Sequence, residues 1–185
     1  MENKHKLGRE DKRSKLDLEL FLIALLERDI NTPYSLHVNA GLSPGATIPV
    51  LKRLSAAAYL QRGNPGVRGR TEYQVTVKGR QHLNSSWPGM LESSIPTDME
   101  AILRTASLAI LRGANRKSVA AYLERAARER ASNARGGKKE AVPGTTEQPG
   151  LYAWMRSIHV KARHRSDVKA LRQLASALLN RKSSL

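Results

Sequence analysis

The chain has 185 residues, is 40% hydrophobic and 26% charged, and carries a formal net charge of +16. That length suffices for one core of about 100 to 150 residues plus an accessory element. The absence of cysteine excludes a disulfide framework and a thiol redox sensor, and the longest apolar stretch, Leu18 to Leu26 with Glu19 inside it, is far short of the roughly 20 residues that span a bilayer.

Residues 1–15 are charged throughout and lack the apolar segment of a signal peptide, so a basic flexible arm and a cytoplasmic location are expected. A first helix is predicted from Leu16 to Arg28, with Leu18, Phe21, Leu22 and Leu25 at helical spacing and apolar flanks, the pattern of a helix buried from several sides. Thr32 and Pro33 then form an N-cap and N1 pair that opens a short helix to Ala40. Gly41 stops it, and Ser43 and Pro44 repeat the pattern for a third helix running to Ala57. Two short helices joined tightly are a helix-turn-helix signature. On the third helix Thr47, Val50, Leu51 and Leu54 fall on one side, leaving Gly45, Ile48, Pro49, Lys52, Arg53 and Ala56 outward or flanking.

Leu60 to Arg62 and Thr71 to Val75 read as two strands, and Gly63 to Arg70 between them holds three glycines, a proline and two arginines. Thr76 caps a last short helix to about Leu83, weakened by Gly79. Helix, short helix, capped helix and arginine-tipped hairpin together describe a winged helix-turn-helix over 16–83, so the expected fold class is mostly α with a small β-hairpin wing. In a chain of charge +16, that order of elements points to DNA.

Over Leu18 to Leu83 the chain resembles the DNA-binding domain of the PadR family of transcriptional regulators, relatives of the MarR winged helices. The resemblance is carried by Thr32-Pro33-Tyr34-Ser35-Leu36, Leu42-Ser43-Pro44-Gly45, Pro49-Val50-Leu51-Lys52-Arg53-Leu54, and Gly69-Arg70-Thr71-Glu72-Tyr73-Gln74-Val75-Thr76 ending in Gly79-Arg80. It departs from the family at Ile48, where a tyrosine usually precedes the proline, and at Ala58, where a glycine usually precedes the first wing strand. The loss of that tyrosine removes a hydroxyl that reaches DNA in relatives. A residue with a side chain at 58 is penalised if the turn needs positive φ. The resemblance implies DNA contact from Tyr34, whose hydroxyl suits a phosphate as well as it suits capping the core.

Asn84 to Pro96 is rich in Ser, Pro and Gly and reads as an interdomain linker, after which Thr97 and Glu100 make a capping box for a helix ending at Gly113. A further helix from about Arg116 to Arg135 places Val119, Tyr122, Leu123, Ala126 and Ala127 on one side. Gly136 to Gly150 has the composition of a flexible loop. The last helical region has two apolar stripes, Leu151, Trp154, Met155, Ile158 and Ala162, then Val168, Leu171, Leu174, Ala175 and Leu178, continuous or broken near Arg165. Apolar stripes this long with little to cover them suggest pairing with another chain, and a C-terminal helical dimerisation domain over 97–185 is also what the PadR resemblance implies. Its expected contacts are Tyr122, Leu123, Trp154, Met155, Ile158, Leu171, Leu174 and Leu178. Residues 151–185 carry +7 of the net charge, which either touches DNA flanks or meets an anionic partner.

The expected interface with double-stranded DNA places the Ser43 to Arg53 segment in the major groove, with Ser43, Gly45, Ile48, Lys52 and Arg53 as contacts. Arg68, Arg70 and Thr71 of the wing then lie over the adjacent backbone or minor groove. The outward helix face has no Asn or Gln and no arginine before Arg53, so groove shape and half-site spacing are expected to carry much of the specificity, with Ile48 pressing on a thymine methyl. A homodimer doubles an interface that is small for one winged helix. Trp87, Tyr152 and Trp154 are either core and dimer contacts or, as in relatives, the lining of a small-molecule effector pocket. The five histidines lack carboxylates or second histidines on shared faces, so neither a metal nor another cofactor is expected. No nucleophile, phosphate loop or carboxylate pair forms a catalytic constellation, and an enzyme is not expected.

Three functions follow: a dimeric repressor, an architectural DNA-binding protein with little sequence preference, or a winged-helix interaction module that docks an acidic partner.

Overall fold

A computed structural model describes residues 16–65, 71–135 and 150–180, without the side chains of 65, 133–135 and 150–161. The described elements are helix α1 (16–26), α2 (Pro33–Ala40), α3 (Pro44–Ala56), strands β1 (Leu60–Pro65) and β2 (Thr71–Val75), α4 (Val77–Ser86), a 3-10 turn at Pro88–Met90, α5 (Met99–Leu111), α6 (Arg116–Arg135) and α7 (Gly150–Asn180). The protein is mostly α with one β-hairpin, a winged helix followed by C-terminal helices.

Local chemistry sets the boundaries of the helix-turn-helix. The Thr32 hydroxyl accepts from the Ser35 amide at 3.0 Å while the Ser35 hydroxyl oxygen accepts from the Thr32 amide at 2.9 Å, a reciprocal cap that satisfies two amides at the start of α2. Gly41 ends α2 at φ 66, and Ser43 accepts from the Ala46 amide to open α3. Pro49 lies inside α3 and supplies no amide to the Gly45 carbonyl, but the helix continues because Thr47, Val50, Leu51 and Leu54 are all buried.

Strands β1 and β2 pair antiparallel, Leu60 with Val75, Gln61 with Gln74 and Arg62 with Tyr73, with an irregularity between Arg62 and Pro65. The Tyr73 amide donates to the Asn31 carbonyl at 2.9 Å, which ties the hairpin to the segment between α1 and α2. Core residues come from every element of this module: Leu20, Leu22 and Ile23 of α1, Leu36, Leu51, Leu54, Leu60, Tyr73 and Leu83.

The chain divides into two compact units, Met1–Ala114 and Asn115–Leu185. The division falls after α5, whereas the sequence reading placed a linker at 84–96. Part of that stretch is ordered as the end of α4 and the 3-10 turn. Helix α5 joins the first unit through contacts far apart in sequence. Arg104 Nε donates to Asp17 Oδ2 at 2.6 Å, Arg112 Nη1 to Glu27 Oε2 at 2.8 Å and Arg112 Nη2 to Asn84 Oδ1 at 2.6 Å, and Leu108 enters the core cluster. The N-cap of α5 is Asp98 rather than Thr97, with its carboxylate accepting from the Glu100 and Ala101 amides.

In the second unit α6 packs along α7. Arg130, nearly buried, donates from Nη1 to Asp167 Oδ2 at 2.7 Å and fixes their register. Helix α7 is continuous through Arg165. Among the described residues, no helix is long and apolar enough to cross a membrane.

Candidate nucleic-acid interface

One face of the winged helix is bare of apolar cover. On α3 the residues turned away from the core are Gly45, Ile48, Pro49, Lys52, Arg53 and Ala56, all exposed, and Ser43 is exposed at its cap. Beside them a groove of about 330 Å³ runs between the N-terminus of α2, the middle of α3 and the base of the hairpin, lined by Thr32, Pro33, Tyr34, Ile48, Lys52, Arg62, Thr71 and Tyr73. Four residues named from sequence thus share one groove, Tyr34, Ile48, Lys52 and Thr71. Arg62 and Tyr73 were missed. The sequence marks Tyr73 as a strand and resemblance residue and Arg62 as the end of a shorter strand; the pairing of Arg62 opposite Tyr73 places both in the groove.

The groove is electropositive for two physical reasons. Lys52 and Arg62 have no carboxylate partner among the described residues; the one polar side-chain contact of Arg62 there is with the Thr71 hydroxyl at 3.5 Å. The first turn of α2 adds only its dipole, because its cap already satisfies the Thr32 and Ser35 amides and Pro33 has none. Tyr34 is 58% exposed at the rim. An anionic backbone laid in this groove meets a lysine, a guanidinium and a phenol together.

Arg53 differs from its neighbour. Its Nε and Nη2 donate to a single oxygen of Glu19, at 2.8 and 2.6 Å. From sequence Lys52 and Arg53 are both expected DNA contacts, but the carboxylate that distinguishes them lies 34 residues away on α1.

Arg68 and Arg70 fall outside the described residues. Trp87 packs against the winged-helix core, and the side chains of Tyr152, Trp154, Met155 and Ile158 are outside the description. Of the other residues expected between protomers, Tyr122, Leu123 and Leu171 are already buried within the chain, which leaves little of their surface for a second copy. Leu174 is 43% exposed and Leu178 half-buried. Among the described residues no cluster of His, Asp and Glu is arranged to hold a metal ion.

No protein-family profile and no curated protein matches this chain. Among solved structures it is similar to the crystal structure of Bacillus subtilis PadR in complex with operator DNA, at 16% identity and a TM-score of 0.36, over 87% of this chain and 98% of that one. The winged helix itself is defined by the element order, the two capped helices and the hairpin register described above.

Proposed function

We propose that this protein is a double-stranded-DNA-binding transcriptional regulator of the PadR type, acting as a homodimeric repressor that covers promoter DNA. The observation that carries this reading is the convergence of Lys52, Arg62 and Tyr34 on one groove beside the exposed face of α3. In this reading Ser43, Gly45 and Ile48 enter the major groove, with Lys52 at its edge against the phosphates. A phosphate strand follows Tyr34, Arg62 and Thr71, and Arg68 and Arg70 extend the contact along the wing. Leu174 and Leu179 of α7, both exposed, support contact with a second copy, and paired half-sites about 34 Å apart follow from a twofold arrangement.

A second reading, an architectural DNA-binding protein with little sequence preference, is favoured by one observation. The exposed α3 face offers Gly45, Ile48, Pro49 and Ala56, none of which forms bidentate hydrogen bonds with a base edge, and the arginine nearest to them is held by Glu19.

Duplex binding of Lys52→Ala, Arg62→Ala and the double variant across a salt series tests the interface. Each single change is expected to weaken binding and to reduce the slope of log affinity against log salt by about one. Unchanged affinity and slope in the double variant would place the DNA elsewhere or remove it from the account.

A further inference from the structure

We propose that Glu19 acts as an internal phosphate mimic, holding Arg53 away from DNA phosphates and so lowering the affinity of this surface for random-sequence duplex. The inference rests on the DNA-binding reading above and concerns how that same surface is restrained.

Guanidinium groups bind carboxylates and phosphates through the same planar fork of donors, so the two anions compete for one arginine. In Arg53 two of those donors, Nε and Nη2, already point at Glu19 Oε1. The two partners are not equally free to move. The Arg53 side chain is 48% exposed, whereas that of Glu19 is 18% exposed and springs from α1, whose following residues Leu20, Phe21 and Leu22 are all buried. The carboxylate is therefore anchored in the scaffold and holds the Nε–Nη2 edge of Arg53, so a phosphate that takes this edge must displace it.

Lys52, the adjacent residue on the exposed face of α3, has no such counter-charge among the described residues. The other acidic side chain on the same helix, Asp17, is engaged by Arg104. Non-specific affinity rises with the number of phosphates neutralised. One arginine withheld by an internal carboxylate lowers that background uniformly over all sequences. Discrimination improves wherever the specific complex draws on other contacts.

The test is a double-mutant cycle on the full chain: wild type, Glu19→Gln, Arg53→Gln and the double variant, titrated against a fluorescent random-sequence duplex at about 50 to 200 mM salt. An exposed ion pair of this kind is worth up to about fivefold in an equilibrium constant. Glu19→Gln is therefore expected to bind random duplex severalfold more tightly, with a salt slope steeper by about one, and to have no effect in the Arg53→Gln background. Glu19→Ala, which removes the acceptor altogether, is expected to behave like Glu19→Gln, and thermal melts report whether each variant is folded.

Equal affinity for wild type and Glu19→Gln overturns the proposal. So does an increase of the same size with and without Arg53, which assigns the effect to net charge. Weaker binding by Glu19→Gln also overturns it, because Glu19 would then orient Arg53 toward phosphate. Wild type that binds no duplex even at the lowest salt fails the DNA-binding reading itself, and the proposal with it.

Discussion

The carbonyl oxygen of Tyr59 occupies the space that a Cβ on Gly79 would enter. The first turn of α4 lies directly against the turn that leads into β1, and Thr76 closes the contact. Its amide donates to the Tyr59 carbonyl at 3.1 Å and its hydroxyl to the Ala58 carbonyl at 2.8 Å. A glycine that weakens α4 locally is thus required by a backbone approach at the root of the wing. Gly79→Ala is expected to destabilise the winged helix by about 1–3 kcal/mol, as forced overpacking does, seen as a lowered midpoint in thermal or urea unfolding. An unchanged midpoint would mean that the α4 to β1 contact is looser than described.

Ala58 has φ 60, a left-handed conformation costly for any residue with a Cβ. It follows α3 and lets the Tyr59 amide reach the Leu54 carbonyl at 2.9 Å, closing the helix as a Schellman motif does. Replacing it with glycine relieves about 1–2 kcal/mol of backbone strain and adds about 0.4–1 kcal/mol of unfolded-state entropy. Ala58→Gly is expected to stabilise the protein modestly, with a higher melting midpoint and no change in duplex binding. A lower midpoint would show that the strain is not borne at this residue.

Asp17 is almost fully buried where α1 meets α5. Desolvation pushes its carboxyl above the usual aspartate range; the hydrogen bond and charge of Arg104 pull the other way without cancelling it, and Asp98 adds a small push upward. The native state therefore takes up this proton at higher pH than the unfolded chain does. Its contribution to stability is complete below the usual aspartate pKa and is lost as pH rises through the raised value. The stability of wild type relative to Asp17→Asn is expected to improve as pH falls from about 7 toward 4, read from paired unfolding curves. A difference that stays flat, or moves against wild type, contradicts this account of Asp17.

What was legible in the sequence was local. The caps at Thr32, Ser43 and Thr76 involve partners three residues away, and the buried side of α3 follows from a period of 3.6, so both could be read from one segment at a time. Ala58 stood out only through a sequence resemblance, and its φ of 60 places it in the left-handed region that favours glycine. The remainder depended on contacts between segments. Arg104 with Asp17 and Arg112 with Glu27 lie 87 and 85 residues apart. Nothing near Met99 signals that α5 belongs with the winged helix rather than with the helices after it. At the site, the outward face of α3 was readable, but the inequality of Lys52 and Arg53 was not, since nothing in either segment signals that Glu19 of α1 meets Arg53 of α3. Arg62 was missed because strand pairing, not strand sequence, decides which side chains share the groove.

Selection of bound sequences from a randomised duplex library at about 150 mM salt, where non-specific phosphate attraction is substantially screened, tests the central claim most directly. A dimeric regulator is expected to enrich a near-palindrome with half-sites about one helical turn apart, and Lys52→Ala with Arg62→Ala is expected to abolish the enrichment. Recovery of no duplex at this salt and at 50 mM would contradict DNA binding, and retained binding without enrichment would contradict the regulator in favour of an architectural role.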